Sequence, residues 1–213
     1  MTLSPYYEFF GHAVDNDVEL ALLREFSTQI EALLRDAADR VPESKLELPD
    51  ALAVVADDRA YLYSDVFPGL LHESFLITCV VFLERELRAV VDILKKVTST
   101  SLSFSDLSGS NVERFRTFCV KVCGFNPGLS NEQWQSLTGL IEVRNCLVHS
   151  SGVLEGFPKR PAVEAFCLRN PVFRVEDGRL ALSLDTSQHA LAILSDFVET
   201  VYRAGIEKYP REA

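Results

Sequence analysis

Arg144, Asn145 and His149 put a permanent cation, an amide and a proton-transfer group within little more than one helical turn. They stand in the run Leu140-Ile141-Glu142-Val143-Arg144-Asn145-Cys146-Leu147-Val148-His149-Ser150-Ser151-Gly152. An arginine stays charged at any working pH and suits anionic oxygens. A histidine titrates near neutrality and can carry a proton in either direction. At about 100° per residue, Leu137, Leu140, Ile141, Leu147 and Val148 form one apolar stripe with Arg144 near its middle, and Asn145 and His149 lie together at its edge. A guanidinium in that place needs an acidic partner or a polar cleft, because an unpaired charge against apolar packing loses its hydration without return. The simpler reading is an arginine whose stem packs while its head reaches water, with Asn145 and His149 as polar residues at a helix end. Both readings stand on the residues alone.

The elements that must position these groups are helices. Ser130-Asn131-Glu132 caps the helix that carries Trp134 and the Arg-Asn-His group, and Ser150-Ser151-Gly152 reads as its stop. A long helix is expected from Val66 or Pro68 to Val97. Its centre, FLITCVVFL, would also suit a buried strand, but Leu83, Leu87, Val90, Val91 and Leu94 keep the helical period into two terminal lysines. On this helix Glu84 falls about 60° from the middle of the apolar stripe, closer to the core than Arg85 or Glu86. It is the best counter-charge for Arg144; the alternative is a rim residue paired with Arg88 at i+4.

A first helix is expected from Asp15 to Arg40, capped by Asp15, Asn16 or Asp17 and closed by Pro42. Val18, Leu22, Phe26, Ile30, Leu33, Leu34 and Ala37 recur at helical spacing along it, as an inward face would. Glu43 to Ser64 reads as an irregular connection with a short helix at Asp50 to Ala56. Thr98 to Ser105 is a turn, and Asp106 to Ser110 leads into a helix clear from Asn111 or Val112 to Val122, ended by Gly124, Pro127 and Gly128. Cys119 and Cys123 share a face of it at a spacing two metal ligands could use, with His149 the one obvious third ligand. Core thiols are the preferred reading. Phe157 to Pro161 reads as a loop whose Lys159 and Arg160 would be solvated or meet a phosphate. Residues 172 to 184 alternate with period two around Glu176-Asp177-Gly178, which signals a β-hairpin. Asp185-Thr186-Ser187 then caps a final helix to Ile206 or Lys208, with Leu191, Leu194, Phe197, Val198, Val201 and Tyr202 inward. The fold expected is therefore all-α in the main, a helical bundle with a small hairpin attached.

With 213 residues, 47% hydrophobic and 24% charged, and no Gly/Ser/Pro-rich linker, the chain reads as one ordinary globular domain spanning 1–213. Within it the motif-bearing core covers about 66–152, and the hairpin with the last helix 172–208. A net charge of −10 opposes nonspecific attraction to nucleic acid or anionic membranes, so any nucleic-acid site must be a local basic pocket. The start, MTLSPYYEFFGHAVDND, lacks a basic region followed by an apolar run, and the apolar run Phe75 to Leu83 is too short for a membrane span. The expectation is a cytoplasmic protein without a membrane partner. Cys79, Cys119, Cys123, Cys146 and Cys167, an odd number in apolar segments, fit reduced core thiols.

A long central helix with an acidic residue in Leu-Glu-Arg-Glu-Leu, a third helix, and a fourth ending in Arg-Asn-x-x-x-His before small residues and Gly resembles the HEPN superfamily. Its signature is Arg, four to six residues, then His, often with Asn directly after the Arg. The resemblance covers roughly Val66 to Gly152. It implies an up-and-down helical bundle that forms a homodimer with two motifs facing each other across a shared cleft. In active members that cleft is a metal-independent endoribonuclease site of toxin-antitoxin and other defence systems. RNA is then the substrate, no cofactor or metal is required, and an antitoxin or regulatory protein is a further partner. On this resemblance Arg144, Asn145 and His149 are the catalytic group, with Glu84 added from its helix and wheel position. Arg144 would stabilise the phosphorane, His149 would move protons, Asn145 would orient His149 or hold a phosphate oxygen, and Glu84 would fix Arg144. The competing reading is a non-catalytic helical interaction or dimerisation module, in which Glu84 and Arg144 form a structural ion pair and His149 caps its helix.

Overall fold

A computed structural model describes residues 4–45 and 61–211. The possible helix at Asp50 to Ala56 lies outside them. The described residues form six α-helices and one two-stranded hairpin, so the chain is mainly α with a small β element. The helices are α1 (Pro5–Lys45), α2 (Phe67–Thr98), α3 (Asn111–Thr117), α4 (Asn131–Ser150), α5 (Arg160–Arg169) and α6 (Leu184–Lys208). The hairpin strands are β1 (Arg174–Glu176) and β2 (Arg179–Ala181), paired antiparallel between α5 and α6.

α1 departs from its expected limits at both ends. It starts at Pro5, so Asp15, Asn16 and Asp17 are interior rather than caps, and it runs past Pro42 to Lys45. Proline is well placed in a first helical turn, where its missing N–H has no partner to lose. The early turns are held by Phe9, fully buried against Gly205 of α6, where a Cβ would come within 2.3 Å of the Phe9 ring. The expected inward face is overturned in part, since only Ile30, Leu34 and Ala37 of it are half-buried. Val18, Leu22, Phe26 and Leu33 are 57%, 65%, 52% and 62% exposed, while Phe9, Asn16, Leu20 and Ser27 are buried.

Polar side chains on that buried face explain the difference. Asn16 Nδ2 donates to Glu86 Oε2 at 2.7 Å, and Ser27 Oγ accepts from Gln188 Nε2 at 2.9 Å. Going up α1, Glu8 pairs with Lys96, Asn16 with Glu86, Glu19 with Arg85 and Glu31 with His72, so α1 and α2 run antiparallel. α1 is likewise antiparallel to α6, with Phe9 near Gly205 and Ser27 near Gln188.

α2 is the central helix, introduced by a wide π-helical turn at Leu62–Val66. Leu83, Leu87, Val90, Val91 and Leu94 are all buried, as their spacing predicts. By length and composition alone the segment Leu62–Thr98 could cross a membrane. Here its buried side chains join one core with those of the other helices. Glu86, not Glu84, is the acidic residue closest to that core, with 2% exposure. The wheel misplaced it because the carboxylate is paid for by specific donors: Tyr202 Oη at 2.6 Å, Asn16 Nδ2 at 2.7 Å and Arg85 Nε at 2.8 Å. Burial and the Glu86 carboxylate push the Tyr202 hydroxyl pKa far above its ordinary value.

α3 begins at Asn111 behind a Ser110–Glu113 capping box and continues as a π-helical turn over Phe118–Val122, ending where the sequence predicts. α4 is capped by Ser130, whose Oγ accepts from Gln133 N, and stops where Ser151 and Gly152 turn left-handed, with φ of 49° and 79°. α5 was not foreseen, because Lys159 to Pro161 reads as a loop; instead Pro161 lies in the first turn of a helix. It buries Phe166 against Gly139 of α4, where a Cβ would stand 2.2 Å from the ring. The hairpin turns at Asp177 and Gly178, both with positive φ, as expected of a two-residue turn. Its strands are shorter than the alternating run suggests. Ser183, rather than Asp185 to Ser187, caps α6, and all six predicted inward residues of α6 are buried.

Candidate active site

Of the predicted residues the structure brings Arg144, in the C-terminal half of α4, against Glu84, in the middle of α2, while Asn145 and His149 make no hydrogen bond or ion pair to either among the described residues. Arg144 Nη2 donates to Glu84 Oε1 at 2.7 Å, with side chains 19% and 24% exposed. The same carboxylate oxygen accepts from Asn111 Nδ2 at 3.0 Å. Glu84 therefore joins three helices through one oxygen. Arg144 does not sit at the middle of the buried face of α4, as the wheel has it. Val143 and Cys146 are fully buried beside Leu140 and Leu147, which turns Arg144 toward the edge of that face and leaves Val148 48% exposed. An edge position suits a guanidinium that keeps one side on the protein and another toward solvent.

Asn145 is half-buried and donates weakly to Glu142 Oε2 at 3.4 Å. His149 is exposed one turn further on, in the last turn of α4. The Nε of Arg144 is buried and has no hydrogen-bond partner, and the Nε of Arg114 on α3 shares that condition. An unpaired guanidinium N–H away from water is a cost the fold carries at both places. Beside Glu84 and Asn111, a cavity of about 320 Å³ opens between α2, α3 and the turn Phe104–Asp106. Arg88, Arg114 and Asn111 line it. Asn111 was legible only as a helix start, and nothing in the spacing of Arg88 and Arg114 marked them, because the two helices that bring them together are far apart in sequence.

Cys119 is fully buried, and burial raises its thiol pKa well above the ordinary value. Cys123 is half-buried, its Sγ 3.7 Å from Thr98 Oγ1. Among the described residues no three His, Cys, Asp or Glu side chains gather as metal ligands.

A second polar cluster lies between α1, α2 and α6. His72 Nδ1 is 3.0 Å from Ser187 Oγ, and His72 Nε2 is 3.1 Å from Glu31 Oε2. The order resembles a nucleophile relay, but His72 and Ser187 are only 3% and 1% exposed, so no substrate reaches the hydroxyl. The cluster is a buried polar contact of the bundle in which His72 Nδ1 is partnered by Ser187, while Glu31 Oε2 lies near His72 without a hydrogen bond. Burial holds the His72 pKa below its ordinary value, against the opposing pull of Glu31.

No protein-family model, curated protein or solved structure matches this chain. Its function is accordingly read from the side chains themselves.

Proposed function

We propose that the chain is a HEPN-type, metal-independent endoribonuclease of a defence or toxin-antitoxin system. The observation that carries this reading is the open Arg144–His149 edge of α4. Arg144 is fixed by Glu84 through one nitrogen and keeps 19% of its side chain exposed, and His149 stands exposed on the next turn. In this reading the His149 imidazole takes the proton of a ribose 2′-hydroxyl as the 2′-oxygen attacks the adjacent phosphorus. Arg144 stabilises the charge of the phosphorane. The bond to the 5′-oxygen breaks, the imidazolium returns a proton to that oxygen, and a 2′,3′-cyclic phosphate is left. Glu84 positions Arg144, and Asn145 supplies an amide to a phosphate oxygen or to His149.

A second copy of the chain as partner is supported by apolar surface flanking the motif. Val81, one turn before Glu84, is 57% exposed, and Val148, adjoining His149, is 48% exposed. The test is cleavage of mixed RNA in EDTA by the wild-type protein, His149→Ala and Arg144→Ala, each checked for folding. Cleavage lost in both variants supports the reading, and an inert wild type overturns it.

A non-catalytic interaction module is the second reading. The Glu84–Arg144 pair favours it, because the pair already bridges α2 and α4 without any ligand. Inert protein together with a strongly destabilised Arg144→Ala would select it.

A further inference from the structure

We infer that the cavity beside the motif, bounded by Arg88, Arg114, Asn111, Ser103 and Ser105, binds a backbone phosphate of single-stranded RNA next to the one being cleaved. This rests on the ribonuclease reading for its place in the reaction, but its own chemistry is independent of cleavage.

The cavity of about 320 Å³ lies one turn along α2 from Glu84. That turn is about 6 Å of helix, so an RNA strand lying over Arg144 would carry its neighbouring nucleotide toward Arg88. Asn111 belongs to both places, donating to Glu84 Oε1 while lining the cavity. The lining itself carries two guanidiniums and one carboxylate, Asp92, in a chain whose net charge is −10, with the carboxylates of Asp106 and Glu84 just outside it. Among the described residues no carboxylate lies within ion-pair distance of Arg88 or Arg114.

The hydroxyls are arranged to the same end. Ser103 Oγ and Ser105 Oγ both line the cavity and bond to each other at 3.0 Å, which leaves one hydroxyl proton of the pair for an acceptor, while the Asp106 carboxylate beside them accepts from Ser103 N–H at 2.7 Å and keeps its charge. Guanidinium, hydroxyl and amide donors are the groups that hold nucleic-acid phosphates. Phe104 and Val91 supply an apolar floor that favours a nucleotide over a small inorganic anion.

The experiment measures binding of a fluorescein-labelled short single-stranded RNA to the full chain carrying His149→Ala, which blocks turnover, across a series of salt concentrations. Arg88→Gln in that background is expected to raise Kd about fivefold and to flatten the slope of log Kd against log salt by about 0.7, the signature of one lost phosphate contact. Ser105→Glu, at an exposed turn position where folding is little affected, is expected to weaken binding similarly. Arg203→Gln, at an exposed i,i+4 pair on α6, serves as the control and leaves both unchanged. Unchanged Kd and slope in Arg88→Gln and Ser105→Glu overturn the inference, as does an absence of RNA binding at any salt. If wild type cleaves RNA without dependence on Arg88, the cavity assignment falls and the ribonuclease reading stands. If RNA binds through Arg88 and is never cleaved, the cavity assignment stands and the ribonuclease reading falls.

Discussion

Asn111 and Arg144 share one acceptor, Glu84 Oε1, which lies 3.0 Å from the Asn111 amide and 2.7 Å from the Arg144 guanidinium. α3 and α4 are thereby tied to α2 at the edge of the core, with both side chains of the ion pair still partly wet. Glu84→Ala is expected to destabilise the fold by about 2 kcal/mol, within the range for hydrogen bonds to charged groups. Adding Arg144→Ala should cost less than the sum of the single changes, since the second partner is already lost. Chemical denaturation of the two single variants and the double variant checks this. Strict additivity would show that the pair contributes nothing to stability.

Tyr202→Phe tests the buried carboxylate of Glu86. The change keeps the ring and removes the hydroxyl that donates at 2.6 Å. A buried acceptor deprived of a donor costs about 1–3 kcal/mol, and the denaturation midpoint should fall accordingly. An unchanged midpoint would mean that Asn16 and Arg85 suffice.

The phase of α1 is tested by two neighbouring leucines. Leu20 is 3% exposed and Leu22 is 65% exposed. Leu20→Ala should therefore cost about 2–5 kcal/mol, and Leu22→Ser less than about 0.5 kcal/mol. Equal costs, or the reverse order, would restore the face expected from the hydrophobic pattern.

Acid sensitivity should come in part from His72. Burial lowers its pKa in the folded chain, so between that value and the unfolded value near 6.5 the unfolded chain binds more protons than the folded one. Stability is then complete above about pH 6.5 and declines as the pH falls, by at most about 1.4 kcal/mol per pH unit for this one proton. His72→Gln retains an amide donor and acceptor for Glu31 and Ser187 and removes the titration. Its stability should vary less between pH 7 and 5 than that of the wild type, measured by urea denaturation at each pH. Parallel curves would assign the acid sensitivity to other groups; His189, lowered by the same cause, is the first to examine.

The sequence by itself determined the helical class, the long α2, the Ser130 cap, the left-handed stop of α4, the Asp177-Gly178 turn and the inward face of α6. Each depends on interactions within a few residues or on an uninterrupted apolar period, which the local chain carries in full. It also offered Glu84 as one of two readings, a counter-charge for Arg144 or a rim partner of Arg88, and the structure chose the first.

Only the tertiary structure decided which face of α1 is buried, which glutamate of α2 goes deepest, and where Arg88, Arg114 and Asn111 come together. In the first two, polar residues are buried and satisfied by partners far along the chain, Asn16 and Tyr202 with Glu86, and Ser27 with Gln188. A hydrophobic pattern scores such residues as outward, since it registers their polarity and not their partners. The cavity is a matter of packing between α2, α3 and a turn, and no spacing within any one of them encodes it. α5 depends in the same way on Gly139 leaving room for Phe166, a fit between two helices that neither helix shows alone.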